Sequence, residues 1–272
     1  MGTRRQLGRV RRLVVKIGSG LITAPDKGPD ARRIGALAAD IAAVAEGREL
    51  VIVSSGAIAT GMARLGLPAR PRSIPEKQAA AAVGQSALMW HYEAAFKPHG
   101  IQVGQVLLTA QDIGDRARYL NARNTLLALL RFGVLPIVNE NDTVAVEELR
   151  FGDNDNLSAL TASLVEADLL VILSDVDGIY TRDPRLDPDA APVRVARADD
   201  AAVAQAAGPA VSGLGTGGMA SKLAAARKAA AAGIPTLIAD GTDEGVLTTA
   251  FDPSAEAGTL LLADGDPLTR RK

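Results

Sequence analysis

A chain of 272 residues, 47% apolar and 22% charged, can bury a substantial core and is too apolar to be disordered. Thirty basic residues against 31 acidic leave a net charge of −1, which argues against a nucleic-acid partner held by bulk electrostatics. Cys is absent, which removes disulfides, thiolate chemistry and cysteine-ligated zinc; His91 and His99 alone are too few for a multi-histidine metal centre.

The chain begins with a basic lead-in carrying Arg4, Arg5, Arg9, Arg11 and Arg12. It does not read as a signal peptide, because Leu13-Val14-Val15 is interrupted at once by Lys16. Gly2 is followed by Gln6 where a myristoylation signal needs Ser or Thr. No run approaches the ~20 apolar residues of a membrane span, so the expectation is a soluble, cytoplasmic protein with no membrane partner. Arg12–Ile17 then reads as a strand, Ala31–Glu46 as a helix and Leu50–Val53 as a strand. Pro75–His91 reads as a helix, Gln102–Leu108 as a strand, Ala117–Arg131 as a helix and Val134–Val138 as a strand. Asn156–Glu166 and Leu169–Leu173 form the next helix–strand pair. Arg182–Pro192, rich in Pro and Asp, reads as an exposed loop and a candidate lid. Ser221–Ala232 and Pro235–Ala239 close the alternation. Near-continuous apolar strands separated by helices predict an α/β fold, a central mostly parallel sheet flanked by helices on both faces.

In such sheets ligands bind beyond the carboxyl ends of the strands. Here those ends are loaded with polar and glycine residues: Lys16-Ile17-Gly18-Ser19-Gly20, Ser54-Ser55-Gly56-Ala57, Asn139-Glu140-Asn141-Asp142 and Ser174-Asp175-Val176-Asp177-Gly178. A fifth cluster, Asp153-Asn154-Asp155-Asn156, precedes a helix. Four short polar side chains in a row read as non-core, either a solvated turn or hydrogen-bonding groups aimed at a small polar ligand. As calcium loops, Asp153 and Asp175 both fail, because neither is followed by the Gly and Glu at the sixth and twelfth positions.

The stretch Gly213-Leu214-Gly215-Thr216-Gly217-Gly218 contains a GxGxxG, but it follows no strand and comes late in the chain, which does not fit a dinucleotide fingerprint. The order Ser221-Lys222 also fails a Walker loop. What remains is a glycine-rich segment opening a helix with a lysine in its first turn. Backbone N–H groups, the helix dipole and a full charge there would suit a phosphate; a plain flexible loop is the alternative. Lys16 is either a surface strand-end lysine or a buried cation in need of an anion. Together, Lys16 and Lys222 suggest two charges holding a phosphoryl group in transfer. No Ser-His-Asp arrangement is readable, and Ser55 with Gly56 better suits binding a ligand carboxylate.

These segments resemble one known family. VVKIGSG (14–20), VIVSSGAIATG (51–61), KQAAAAVGQ (77–85), VGQVLLT (103–109), YLNARNTL (119–126), PIVNENDTV (136–144), FGDNDNLSAL (151–160), LSDVDGIYTRDPR (173–185) and SGLGTGGMASKL (212–223) are similar, in order and across nearly the whole chain, to the glutamate 5-kinases of the amino acid kinase superfamily. The resemblance implies a three-layer sandwich with the amino acid kinase fold. It divides residues 1–272 into a glutamate-binding lobe, approximately 1–165, and a nucleotide-binding lobe, 166–272, with no PUA domain of the kind many bacterial members carry after the kinase domain.

The activity implied is ATP-dependent phosphorylation of the γ-carboxylate of L-glutamate, the first step of proline biosynthesis. Lys16 and Lys222 would neutralise phosphate charge, and Asp155 would orient them. Ser55, Gly56, Asn139, Asp142, Asp153 and Asn154 would bind glutamate. Lys16, Ser174, Asp175, Thr216, Gly217, Gly218, Met219, Ala220, Ser221 and Lys222 would bind ATP. Mg²⁺ would be held mainly through the nucleotide phosphates rather than by a protein metal site. Proline is the expected feedback inhibitor, acting at the glutamate site or at the loop around residues 110–125. A homo-oligomer and a contact with the next enzyme of the pathway are also expected. The competing readings are another kinase of the superfamily, acting on acetylglutamate, aspartate, carbamate or a nucleoside monophosphate, and a non-catalytic amino-acid or nucleotide sensor.

Overall fold

A computed structural model describes residues 4–24, 28–145, 153–206 and 218–263. After a 3-10 turn (Arg4–Arg9), strand β1 (Arg12–Ile17) leads through α1 (Ser19–Ile22) into a small ribbon, β2 (Thr23–Ala24) and β3 (Gly28–Pro29). Then come α2 (Ala31–Ala43), β4 (Glu49–Ser54), α3 (Ala57–Leu65), α4 (Ile74–Phe96), β5 (Gln102–Leu108), α5 (Ala110–Gly114), α6 (Arg116–Arg131) and β6 (Val134–Glu140). The second half comprises α7 (Asn154–Leu164), β7 (Leu169–Ser174), β8 (Ile179–Tyr180), β9 (Pro192–Val193), β10 (Val195–Arg197), α8 (Ala201–Ala206), α9 (Met219–Ala231), β11 (Thr236–Asp240), α10 (Val246–Phe251) and β12 (Thr259–Leu262).

Eight strands form the central sheet in the order β10-β12-β11-β7-β1-β4-β6-β5. All neighbours are parallel except β11 and β12. The strands from the first half of the chain lie together on one side, and those from the second half begin at β7, on the other flank of β1. The strand order therefore reverses at β1, which puts a ligand crevice beyond its carboxyl end.

Alternation along β1 sets what faces each layer. Leu13, Val15 and Ile17 join the core shared with α2 and α4, while Val14 joins the core beneath α7 and α9. Lys16 has the parity of Val14, so it points toward α7 and α9.

The helices begin where short polar side chains can cap them. Asp30 accepts from the backbone N–H of Arg32 and Arg33 at the start of α2. Ser73 and Glu76 form a reciprocal capping box on α4. Asp115 caps α6 and Asp153 caps α7. α10 has no cap of its own; the buried Asp40 of α2 supplies it across the fold, accepting from Leu247 N (2.7 Å), Thr248 N (3.1 Å) and Thr248 Oγ1 (2.7 Å).

α3 and α4 meet backbone to backbone. A Cβ on Gly61 would lie 1.7 Å from the Ala80 carbonyl oxygen, and one on Gly84 would lie 1.8 Å from that of Ala57. Only glycine fits either position.

The α/β sequence expectation holds, with shifted boundaries. α2 ends at Ala43, α4 runs on to Phe96 and α7 starts at Asn154. α3, α10 and the antiparallel β12 had no counterpart in the sequence reading. The 110–125 segment is a correction: it is not a loop but α5 and the first turns of α6, because Thr109 with Asp112 and then Asp115 provide two successive helix caps. The expected loop at 182–192 is there, as an exposed connection between β8 and β9.

Candidate active site

At the carboxyl end of β1 three charges meet below the surface. Lys16 Nζ lies 2.5 Å from Asp155 Oδ1, and Lys222 Nζ lies 3.5 Å from Asp155 Oδ2. Lys16 is 5% exposed, Lys222 4% and Asp155 0%. Each comes from a different element: the end of β1, the first turn of α9 and the first turn of α7. Two findings follow. Lys16 is not a surface strand-end lysine, and its cost of burial is offset by an anion. The expectation that none of residues 153–156 sits in the core fails for Asp155, because α7 begins two residues early and its turn of approach carries that side chain inward.

Burial alone would push the Asp155 carboxyl up. The Lys16 and Lys222 charges outweigh it, together with hydrogen bonds from Lys16 and Ser221, and hold the carboxyl below its ordinary range. Ser221 Oγ lies 2.8 Å from Asp155 Oδ2. The trio thus carries one net positive charge in a site of low dielectric, where fixed charges act strongly and need no reorganisation. Lys222 also sits at a helix N-terminus, where a cation is electrostatically disfavoured. Two sources of positive potential kept together mark a place for an anion.

A chain of amides lies beside the trio. Asn154 Nδ2 has two protons to share among three acceptors in reach, the Ser54 carbonyl oxygen (2.6 Å), Asn139 Oδ1 (2.9 Å) and Ser55 Oγ (3.0 Å). Asn139 Oδ1 also accepts from Glu140 N (2.9 Å), and Asn139 Nδ2 donates to Gln85 Oε1 (2.8 Å). The Ser54 carbonyl can only accept and the Glu140 N–H can only donate, so these backbone groups fix which way both asparagine amides point. Gln85 is then fixed too, and its buried Nε2 has no acceptor among the described residues. Under the same turn, Ser54 Oγ is 2.9 Å from the buried Tyr92 hydroxyl. Gly56 bends the chain between Ser55 and α3 at φ +98°, a conformation that favours glycine.

The structure therefore joins Lys16, Asp155, Ser221 and Lys222 in one cluster, and Ser55, Asn139 and Asn154 in another. Adjacent residues on α7 link the two. Gly56 and Ser174 lie at the ends of β4 and β7; Ser174 is buried next to Gly18, and Asp175 beyond it is exposed. Gly218, Met219 and Ala220 open α9. Asp153 Oδ1 is committed to the Asn156 N–H as a cap. Asp142 lies partly exposed beyond the end of β6. Thr216 and Gly217 fall outside the described residues. Gln85 was missed as a site residue. It lies within the 77–85 motif, but one glutamine in an alanine-rich helix gives no signal of what it touches.

A model of the amino acid kinase family matches residues 11–240. The chain belongs to the amino acid kinase family. Among curated relatives it is 52% identical over 267 residues to a protein named glutamate 5-kinase from Geobacter sulfurreducens, covering 98% of this chain and 71% of that protein. It is 51% identical over 273 residues to one of the same name from Methylococcus capsulatus, covering 100% of this chain and 73% of that protein. Among solved structures it is similar to the T. acidophilum isopentenyl phosphate kinase product complex. That likeness has a TM-score of 0.65 at 19% identity, spans 92% of this chain and 99% of the other, and supports the shared amino acid kinase fold alone.

Proposed function

We propose that this amino acid kinase is a glutamate 5-kinase, transferring the γ-phosphoryl group of ATP to the γ-carboxylate of L-glutamate. The products are glutamyl 5-phosphate and ADP, and the step is the first of proline biosynthesis. The observation that carries the reading is identity of about half of all positions, over nearly the whole chain, with relatives that bear this name. The site's chemistry agrees. A carboxylate acceptor has no proton to lose, so the reaction needs charge neutralisation and positioning rather than a base. Lys16 and Lys222 would neutralise the oxygens of the transferring phosphoryl group, and Asp155, held ionised, would aim both ammoniums.

The finer assignments are part of the same proposal. Ser55, Gly56, Asn139, Asp142 and Asn154, with Asp153 beside them, would bind glutamate. Asn154 turns its Nδ2 into the protein, which leaves its Oδ1 to accept from the α-ammonium. Lys16, Ser174, Asp175, Thr216 to Ser221 and Lys222 would hold ATP. The division of the sheet at β1 supports a glutamate lobe of residues 1–165 and a nucleotide lobe of 166–272. Among the described residues no group of three or more His, Asp or Glu side chains is placed to hold a metal ion. Mg²⁺ carried on the nucleotide's own phosphates needs no such group. No helix among the described residues is long and apolar enough to cross a membrane, and we place the enzyme in the cytoplasm. Feedback by proline at the glutamate site, a homo-oligomer and a contact with the next enzyme complete the proposal.

The test is ATP turnover with Mg²⁺ and L-glutamate, trapping the acyl phosphate as a hydroxamate, with aspartate and acetylglutamate alongside. A glutamate-dependent hydroxamate is expected. Turnover with a different acid alone would keep the family and move the substrate. Substitution of Asp142 or Asn154 is expected to weaken glutamate and proline together; loss of one without the other would separate their sites.

A further inference from the structure

The two arms of the buried trio are unequal, 2.5 Å to Lys16 and 3.5 Å to Lys222. The longer arm is shared with a second donor. Asp155 Oδ2 already has a close donor, the Ser221 hydroxyl at 2.8 Å, so Lys222 is not its nearest partner. Ser221 Oγ is also 2.9 Å from the Gly218 carbonyl oxygen. A hydroxyl has one proton for these two acceptors, and the ionised carboxylate is the stronger one. Gly218 in turn precedes the first residue of α9, so one side chain touches both the start of that helix and the carboxylate at the centre of the trio.

We propose that Ser221 is a positioning residue for phosphoryl transfer: by occupying Asp155 Oδ2 it keeps Lys222 from closing onto the carboxylate and holds that ammonium toward the nucleotide side. This rests on the kinase reading above. Lys16 from β1 and Lys222 from α9 are the charged groups that face Asp155; Lys16 lies against Oδ1, and Ser221 shares Oδ2 with Lys222. Without the hydroxyl, the Lys222 ammonium is the nearest replacement donor, and it would be drawn in toward Oδ2.

The test compares Ser221→Ala with Ser221→Thr, which keeps a hydroxyl at the same branch point. The Ala variant is expected to lose about tenfold or more in kcat, the scale of a hydrogen bond to a charged group, with little change in KM for the amino acid. The Thr variant should recover most of the rate. A ¹³C titration of the Asp155 carboxyl, assigned with Asp155→Asn, gives a readout that needs no substrate. With the ammonium drawn in to replace the neutral hydroxyl, that carboxyl should titrate at lower pH in Ser221→Ala than in the wild type, and close to the wild type in Ser221→Thr. Unchanged kcat and titration in Ser221→Ala, or a folded Thr variant as impaired as Ala, would overturn the proposal. A wild type that makes no hydroxamate from glutamate would instead count against the substrate reading, and the carboxyl titration would still decide the role of Ser221.

Discussion

Asp155→Asn isolates the charge of the trio while nearly preserving its shape. The wild-type cluster holds two ammoniums and one carboxylate, all at most 5% exposed. The variant leaves two buried ammoniums with no anion. Removing one partner of a buried pair typically costs about 3–5 kcal/mol, and here both lysines lose the same partner. With the unfolding entropy typical of a chain this long, about 0.57 kcal/mol/K, Tm should fall by about 5–9 °C at pH 7. The dependence on pH is distinctive. Buried lysines without an anion favour their neutral form, so the deficit should shrink as pH is raised from 7 toward about 10. In the wild type the sign is opposite. The Asp155 carboxyl is held low, so its contribution persists at neutral pH and is lost only as pH falls below about 4, through its folded-state value. Thermal melts of both proteins at pH 7 and pH 9.5, and of the wild type down to about pH 3, followed by circular dichroism, measure these effects. An unchanged Tm at pH 7, or a deficit that does not shrink with pH, would refute the charge assignment.

Lys222→Ala should lower kcat by about 10²–10³-fold, the scale of losing a preorganised charge-stabilising group; a near-normal rate in a folded variant would remove it from the mechanism. Gly84→Ala would place a Cβ 1.8 Å from the Ala57 carbonyl and should cost at least about 1–3 kcal/mol in urea denaturation, with α3 displaced. Asp40→Ala removes the cap that α2 lends to α10 and should cost about 2 kcal/mol while leaving kcat unchanged. Gln85→Leu leaves Asn139 Nδ2 without its acceptor and should raise KM for glutamate by about tenfold, on the scale of one lost buried hydrogen bond, with KM for ATP unaffected.

Much of this was legible from the chain because period and composition speak for themselves in β1, β5 and β7. β1 and β5 match their expected spans to the residue. Helix starts were harder. At α7, Asp153-Asn154-Asp155-Asn156 looks like a turn, yet one Asp serves as cap and the helix begins beneath the other three. α3 was missed because Ser-Ser-Gly signals a loop, and Gly61 within the helix is there for close packing rather than for a bend. The lysines announced themselves as cations at strand and helix ends. The inequality of their distances to Asp155, and the link from Asn139 to Gln85, depend on side chains 54 to 139 residues apart, which no local pattern records.

The glycine contact between α3 and α4 decides which parts of the acceptor side can move. α3 starts immediately after Ser55 and Gly56, and its backbone rests against that of α4 with no side chain between them to yield. Tilting one helix would drive carbonyl oxygens into the other. The same α4 grips Asn139 through Gln85 and reaches Ala145 through Gln78. The Ser55 turn, the end of β6 and residues 141–145 beyond it are therefore tied to the same pair of helices. A movement that separated the Ser55 turn from the end of β6 would have to break this helix contact or the hydrogen bonds that α4 makes.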